Sequence, residues 1–212
     1  MNKKITTLLL SLMPLTAVAE PITIQADIWA DNWFAFYIGE KLIKEDSVSI
    51  NTERSFNKET FTFTAERPIQ INMVVKDFKE NDTGLEYIGT GRQQMGDGGL
   101  IVQMLDQQTN EILAVSSDQW LCKVIHQAPL DKSCEKSSSP DTDCQSDISA
   151  EPANWKSASF DDSDWPAAIE YSESAVSPKF GYDEVNWVSS AKLIWSSDLE
   201  TDNTLLCRLT IQ

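Results

Sequence analysis

Apolar and polar residues alternate along this chain in short bursts, and almost nowhere do they repeat at helical spacing. In ITIQADIWA (22–30) every even position is Ile or Ala, while Thr, Gln, Asp and Trp fill the odd ones. NWFAFYIGEKLI (32–43) combines aromatic and branched residues with a turn at Gly39-Glu40-Lys41. TFTFTAE (60–66), PIQINMVVKDF (68–78), GLIVQMLD (99–106), EILAVSS (111–117), WLCKVIH (120–126), AKLIWSS (191–197) and TLLCRLTI (204–211) follow. Period-two segments of this length, broken by Gly, Asn, Asp and Pro, predict an all-β fold, an antiparallel β-sandwich. LIVQMLD and EILAV are apolar on both faces, as expected of central strands covered by a partner sheet on one side and loops on the other. One short helical turn each is expected in ISAEPANWKSAS (148–159) and DDSDWPAA (161–168). The polar, Pro/Ser/Asp-rich stretch 129–153 is expected as a surface excursion rather than a domain boundary.

The densest irregularity is DFKENDTGLEYIGTGRQQMGDGG (77–99), which holds six of the eight glycines. Long loops inside compact domains are uncommon and often functional. Glycine permits positive φ and close approach of backbone to a ligand or ion. This loop is therefore the first place to look for recognition.

The N-terminus reads as a Sec-type signal peptide, residues 1–19. Lys3 and Lys4 form its basic region, Ile5–Val18 its apolar region, and Ala17-Val18-Ala19 a small-x-small cleavage site. The apolar stretch is shorter than the roughly 20 residues of a spanning helix and is interrupted by Pro14. The protein is thus expected to be periplasmic or secreted, not inserted in a membrane, with one domain over 20–212. Loss of the two leader lysines takes the net charge from −16 to −18. So acidic a surface argues against nucleic acid and anionic lipid as partners and is compatible with cations and with neutral or basic partners.

Cys122, Cys134, Cys144 and Cys207 form an even set, read as two disulfides in an exported chain. Three pairings can be drawn. Cys134 and Cys144 bracket a polar stretch and favour a local bridge, which leaves Cys122 to Cys207. Zinc is the alternative, but the spacings are not those of zinc modules and the chain has one histidine.

Four segments in fixed order carry a family resemblance: ADNWFAFYIGEKLIKED (30–46), with an exposed Asp, an aromatic strand and a Gly/Lys turn; IQINMVVKD…DGGLIVQMLD (69–106) with NEILAVSSDQWLC (110–122); NWKSASFDDSDWPAA (154–168); and AKLIWSSDLETDNTLLCRLTI (191–211). Together they resemble the galactose-binding-domain-like jelly rolls, such as the accessory domains of family 78 (α-L-rhamnosidase) and family 2 glycoside hydrolases. The resemblance implies a sandwich of eight or more antiparallel strands, carbohydrate or glycan binding, no catalysis of its own, and a structural calcium. The domain is expected to stand without an attached enzyme, and the 77–99 loop is longer and more acidic than a strand connection requires.

The residues themselves offer two candidate sets. Asp77, Glu80, Asp82 and Asp97 supply carboxylates for calcium, with Asn81 and Glu86 as further loop oxygens. Trp33, Asn81, Tyr87, Arg92 and Gln93 supply rings to stack on a pyranose and polar groups for its hydroxyls. Trp29, Trp120, Trp165 and Trp195 lie in apolar patterns and are expected in the core, whereas Trp187 sits in a polar run and is expected to line a loop. In FDDSDWP (160–166) the acids and Ser163 are expected to hold a tight turn that drops Trp165 inward. His126 is read as a satisfied strand-end histidine, and no Gly-x-Ser-x-Gly motif accompanies it. A glycosidase would need two carboxylates about 5–9.5 Å apart across a cleft, a pair easily found by chance among 33 acids.

These observations lead to an exported, non-catalytic, lectin-like carbohydrate-binding protein. The alternative is an exported structural or adhesive protein that binds another envelope or extracellular protein through its acidic sandwich.

Overall fold

The computed structural model describes residues 20–212, so the expected signal peptide, residues 1–19, lies outside the described residues. In chain order the strands are β1 (Ile22–Asp31), β2 (Trp33–Ile38), β3 (Lys41–Glu45), β4 (Lys58–Ala65), β5 (Ile69–Lys76), β6 (Leu85–Glu86), β7 (Gln94–Met95), β8 (Gly99–Asp106), β9 (Ile112–Val115), β10 (Leu121–Gln127), β11 (Asp147–Ile148), β12 (Ile169–Tyr171), β13 (Leu193–Trp195) and β14 (Asp202–Ile211). Two six-stranded sheets result. The first runs β12-β13-β8-β1-β4, with β9 also pairing β8; the second runs β11-β10-β14-β5-β2-β3. All pairings between these strands are antiparallel. Strands β6 and β7 form a separate small hairpin inside the glycine-rich segment.

The period-two pattern explains the layering. Ile24, Ala26, Ile28 and Ala30 of β1 face inward and meet Phe34, Phe36, Ile71, Met73, Val75 and Leu205 of the second sheet. Part of the outward surface is buried too, because loops cover the middle of both outer faces. Trp29 packs beneath Phe56, Val176 and Tyr182, while on the second sheet Ala35, Val74 and Leu206 lie beneath Trp155 and Trp165. Strands covered on both sides read as near-continuous apolar runs, as LIVQMLD does. Trp29, Trp120, Trp165 and Trp195 are all buried. Trp187 packs at the margin of the Trp29 cluster and donates its indole N–H to Tyr182 O at 3.0 Å.

The helical turns lie elsewhere than expected. Segments 148–159 and 161–168 are turns with no helix, and the short helices are α1 (Pro140–Asp143) and α2 (Glu173–Val176), with 3-10 turns at Lys132–Lys136 and Tyr182–Glu184. In 161–168 a local side chain takes over a backbone donor, Ser163 N–H donating to Asp161 Oδ1 at 3.1 Å, and the distant Arg208 donates from Nε to Asp162 Oδ2 at 2.7 Å. Trp165 then turns inward against Phe160 and Trp155.

Both cystines form as expected, Cys122–Cys207 and Cys134–Cys144. Cys122 and Cys207 stand directly opposite in the β10–β14 ladder, so the bridge crosses two neighbouring strands. Cys134–Cys144 pins the 129–153 excursion, and the glycine-rich loop is clamped onto it by Asn81 and Gln93. Two disulfides belong to an oxidising, extracellular-type environment. No helix among the described residues is long and apolar enough to cross a membrane.

Candidate functional site

Three strand ends meet at one end of the sandwich. Strand β1 ends at Asp31, and the chain then crosses to the second sheet through the cis Asp31–Asn32 peptide. Strand β5 runs out into Asp77, and Asp97 precedes the start of β8. The ladder sets Asp31 opposite Gly99, which brings Asp97 alongside. Asn32 fastens the junction: its N–H donates to Lys76 O at 2.7 Å, and its Oδ1 accepts from Phe78 N–H at 2.6 Å. Asp77 N–H donates to Asn203 O at 2.9 Å.

As a result one carboxylate oxygen from each of Asp31, Asp77 and Asp97 lies within 4.8 Å of the other two. Asp31 is fully buried and Asp77 is 2% exposed. All four of their carboxylate oxygens lack a hydrogen-bond partner among the described residues. The Phe78 N–H beside Asp77 is committed to Asn32. Lys179 Nζ reaches Asp97 Oδ2 at 2.9 Å, and Glu86, also buried, accepts from Gln94 Nε2 at 2.8 Å.

The electrostatics follow from burial. Removal from water pushes the Asp31 carboxyl well above its ordinary range; Asp97 and Asp77 push it further, and Lys179 opposes them. Asp77 is raised likewise, by burial first and then by Glu86 and Asp97. Glu86 is pushed up to about 7, chiefly by burial. Burial disfavours the Lys179 charge, but the hydrogen bond and charge of Asp97 outweigh it, and its pKa rises.

Of the four carboxylates expected to bind metal, the structure brings Asp77 and Asp97 together and places Glu80 and Asp82 apart. Glu80 Oε1 accepts from Ile88 N–H at 3.1 Å, and Asp82 pairs with Lys79 at 2.9 Å. Both are loop-turn fasteners. The partner sequence reasoning missed is Asp31, read as an exposed Asp ahead of an aromatic strand; it is fully buried because the β1-to-β2 crossing turns it under the 77–99 loop. Its one sequence signal is position, an Asp closing a strand whose outward neighbours Asp27 and Trp29 are also buried.

The five residues expected to hold a sugar are dispersed. Tyr87 and Arg92 meet, with the guanidinium 4.2 Å from the ring centroid and Tyr87 Oη donating to Glu53 Oε1 at 2.6 Å. Asn81 Nδ2 donates to Asp141 Oδ1 at 2.8 Å, and Gln93 Nε2 to Glu135 O and Ser137 O, each at 2.8 Å. Trp33 packs on the outer face of the second sheet, with Lys76 Nζ 4.9 Å from its ring centroid.

A groove of about 390 Å³ runs over that outer face and ends at the acidic junction, with Asp77 in its wall. Val74, Ile125 and half-buried Phe78 supply its apolar surface, and Lys76, Lys79 and Glu151 its polar surface. His126 also lines it. It is buried, but it is not the satisfied histidine expected: neither ring nitrogen has a well-formed hydrogen bond, and Nε2 stands 3.5 Å from Asp82 Oδ1. Burial lowers its pKa first, Lys79 next, and Asp82 opposes them.

No known protein family, curated protein or solved structure matches the chain.

Proposed function

We propose that the protein is an exported, non-catalytic carbohydrate-binding module, in a fold similar to the galactose-binding-domain-like jelly rolls, that takes its saccharide in the groove over β5, β14 and β10. The observation that carries this reading is the groove's make-up. It offers an aromatic ring, Phe78, and apolar side chains for the C–H face of a pyranose. Beside these stand Lys76, Lys79 and Glu151 for its hydroxyls. Its volume of about 390 Å³ falls within the range of small-ligand sites. Export is supported by the leader-like residues 1–19 and by two disulfides.

The test is a glycan array probed with the purified, disulfide-bonded protein, followed by Phe78→Ala and Glu151→Gln. The expected result is retention on a defined set of saccharides, released by free sugar and lost in both variants. Silence across plant, algal and bacterial polysaccharides, or retention unchanged in both variants, overturns the reading. Capture of an envelope protein that free saccharide does not release would favour the adhesive alternative.

A further inference from the structure

We propose that Asp31, Asp77 and Asp97 form a binding site for one divalent cation of the calcium class, built into the end of the sandwich beside the groove. This goes beyond the carbohydrate reading and does not depend on it.

Geometry carries the inference. Three carboxylate oxygens within 4.8 Å of one another match the span across a calcium ion, whose oxygen ligands lie at about 2.3–2.6 Å. Two of the three carboxylates are withdrawn from water, and none of their four oxygens is hydrogen-bonded within the described residues. Buried polar atoms are paired as a rule, so two buried carboxylates with orphaned oxygens, each bringing one oxygen to within 4.8 Å of the others and of Asp97, call for a partner that the described residues do not supply. The backbone is shaped around that point. A Cβ on Gly96 would stand 1.7 Å from Asp77 Oδ2, so this position accepts only glycine while the carboxylate keeps its place.

The donor set selects the cation. All three side chains are hard carboxylates, with no cysteine in the trio and no histidine, which favours calcium or magnesium over zinc or copper. Calcium accepts bidentate carboxylates and irregular geometry, whereas magnesium demands near-ideal octahedral ligation at about 2.0–2.1 Å. Lys179 is the cation that now faces the trio, through Asp97 alone. Its side chain is 43% exposed and can swing outward when a metal arrives. Glu86 opposes ionisation of both Asp31 and Asp77, and the charge of Lys179 favours it. A divalent ion would therefore satisfy both charge and coordination.

Binding is measured with Ca²⁺ by calorimetry and with Tb³⁺ by luminescence on the chelator-treated, disulfide-bonded protein. Trp195 and Trp29 pack against Gly98 and Gly99, next to Asp97, and serve as antennae for Tb³⁺. The expected result is one saturable Tb³⁺ site, displaced by Ca²⁺, and a melting temperature that rises with Ca²⁺ and falls with chelator. Asp97→Asn, at the least buried of the three, should weaken binding by about tenfold or more, and Asp31→Asn and Asp77→Asn should abolish it. Lys179→Gln should tighten it about tenfold, because a like charge is removed from within salt-bridge distance of a ligand. Glu80→Gln and Asp82→Asn should leave it unchanged. The proposal is overturned if the wild-type protein shows no saturable site, or if Asp97→Asn and Lys179→Gln both bind as wild type does. Wild-type titration needs no variant to fold, so the outcome is decided even if the buried substitutions misfold. A silent glycan array with intact Tb³⁺ binding would refute the saccharide and leave the cation site standing.

Discussion

Gly96 lies so close to the carboxylate of Asp77 that a single added methyl group would stand 1.7 Å from Oδ2. Neither side can yield easily: Asp77 is buried and its backbone is held to Asn203, while Gly96 follows directly on β7. Gly96→Ala is therefore expected to destabilise the protein by about 1–3 kcal/mol through overpacking. It should also weaken Ca²⁺ binding at the proposed site, because the displaced carboxylate belongs to the trio. Gly91, whose added methyl would meet nothing within 4 Å, is the control, and Gly91→Ala should be nearly neutral in urea denaturation. Equal effects at the two glycines would contradict this account.

The FDDSDW segment is held by a buried cation. Arg208 is 2% exposed and lies on the outer face of the second sheet; it donates from Nε to Asp162 Oδ2 at 2.7 Å and from Nη2 to Ser157 O at 3.2 Å. Its guanidinium also covers the Phe160 ring at 5.1 Å. Removing one partner of such a pair strands the other charge, at a cost of about 3 kcal/mol or more when fully buried. Asp162 is partly exposed, so Asp162→Ala is expected to cost about 2–3 kcal/mol. Adding Arg208→Met should recover most of that loss, since no charge is then left unpaired. A double variant as unstable as the sum of the single ones would show that the two residues are not coupled.

Much of this architecture was legible in the sequence, for reasons that also mark where it stops. Period two is a local property, so ITIQADIWA and TLLCRLTI announce strands without reference to the rest of the chain. The cystine pairing was legible because Cys134 and Cys144 are near in sequence and leave one choice. The covering layers were harder. Segments such as 149–168 and 172–192 carry no period, because they follow a sheet surface instead of building one, and the helical turns of the covering layers were expected in the wrong places. The acidic junction was half legible. Asp77 and Asp97 stood out in a glycine-rich loop, whereas Asp31 joins them only through the Asp31–Gly99 register and the crossing between sheets. Long-range pairing of that kind leaves no local trace.

The two disulfides should differ in worth. Cys122–Cys207 closes a loop of 85 residues, and Cys134–Cys144 one of 10. The chain-entropy relation gives about 4.5 kcal/mol for the first and about 2.7 kcal/mol for the second. Paired Cys→Ala replacement, followed by urea denaturation, should therefore rank Cys122/Cys207 as the more damaging. Loss of Cys134–Cys144 should show its own signature, because Asn81 and Gln93 tie the 77–99 loop to this excursion. Limited proteolysis should then cut within 77–99 while the sandwich stays folded. Reversal of the stability order would imply that strain or denatured-state structure outweighs loop length.

A separate carboxyl gives the protein a pH dependence away from the acidic junction. Asp46 is 7% exposed; its Oδ1 accepts from Val48 N–H at 2.8 Å, and its Oδ2 has no partner among the described residues. Burial, opposed by the Val48 hydrogen bond and aided by the charge of Glu59, raises its pKa from 3.8 to about 6, with Asn57 and Lys44 restraining the rise. Between these two values the folded protein holds a proton that the unfolded chain releases. The cost of burying this group is therefore absent below about pH 4 and complete above about pH 6, so its contribution to stability falls as pH rises through that window. Asp46→Asn removes the titration. Whatever constant offset the amide introduces, the stability of Asp46→Asn relative to wild type should increase by about 1–3 kcal/mol between pH 4 and pH 7. Parallel stability curves for the two proteins across that range would show that Asp46 keeps its unfolded-state pKa in the folded protein.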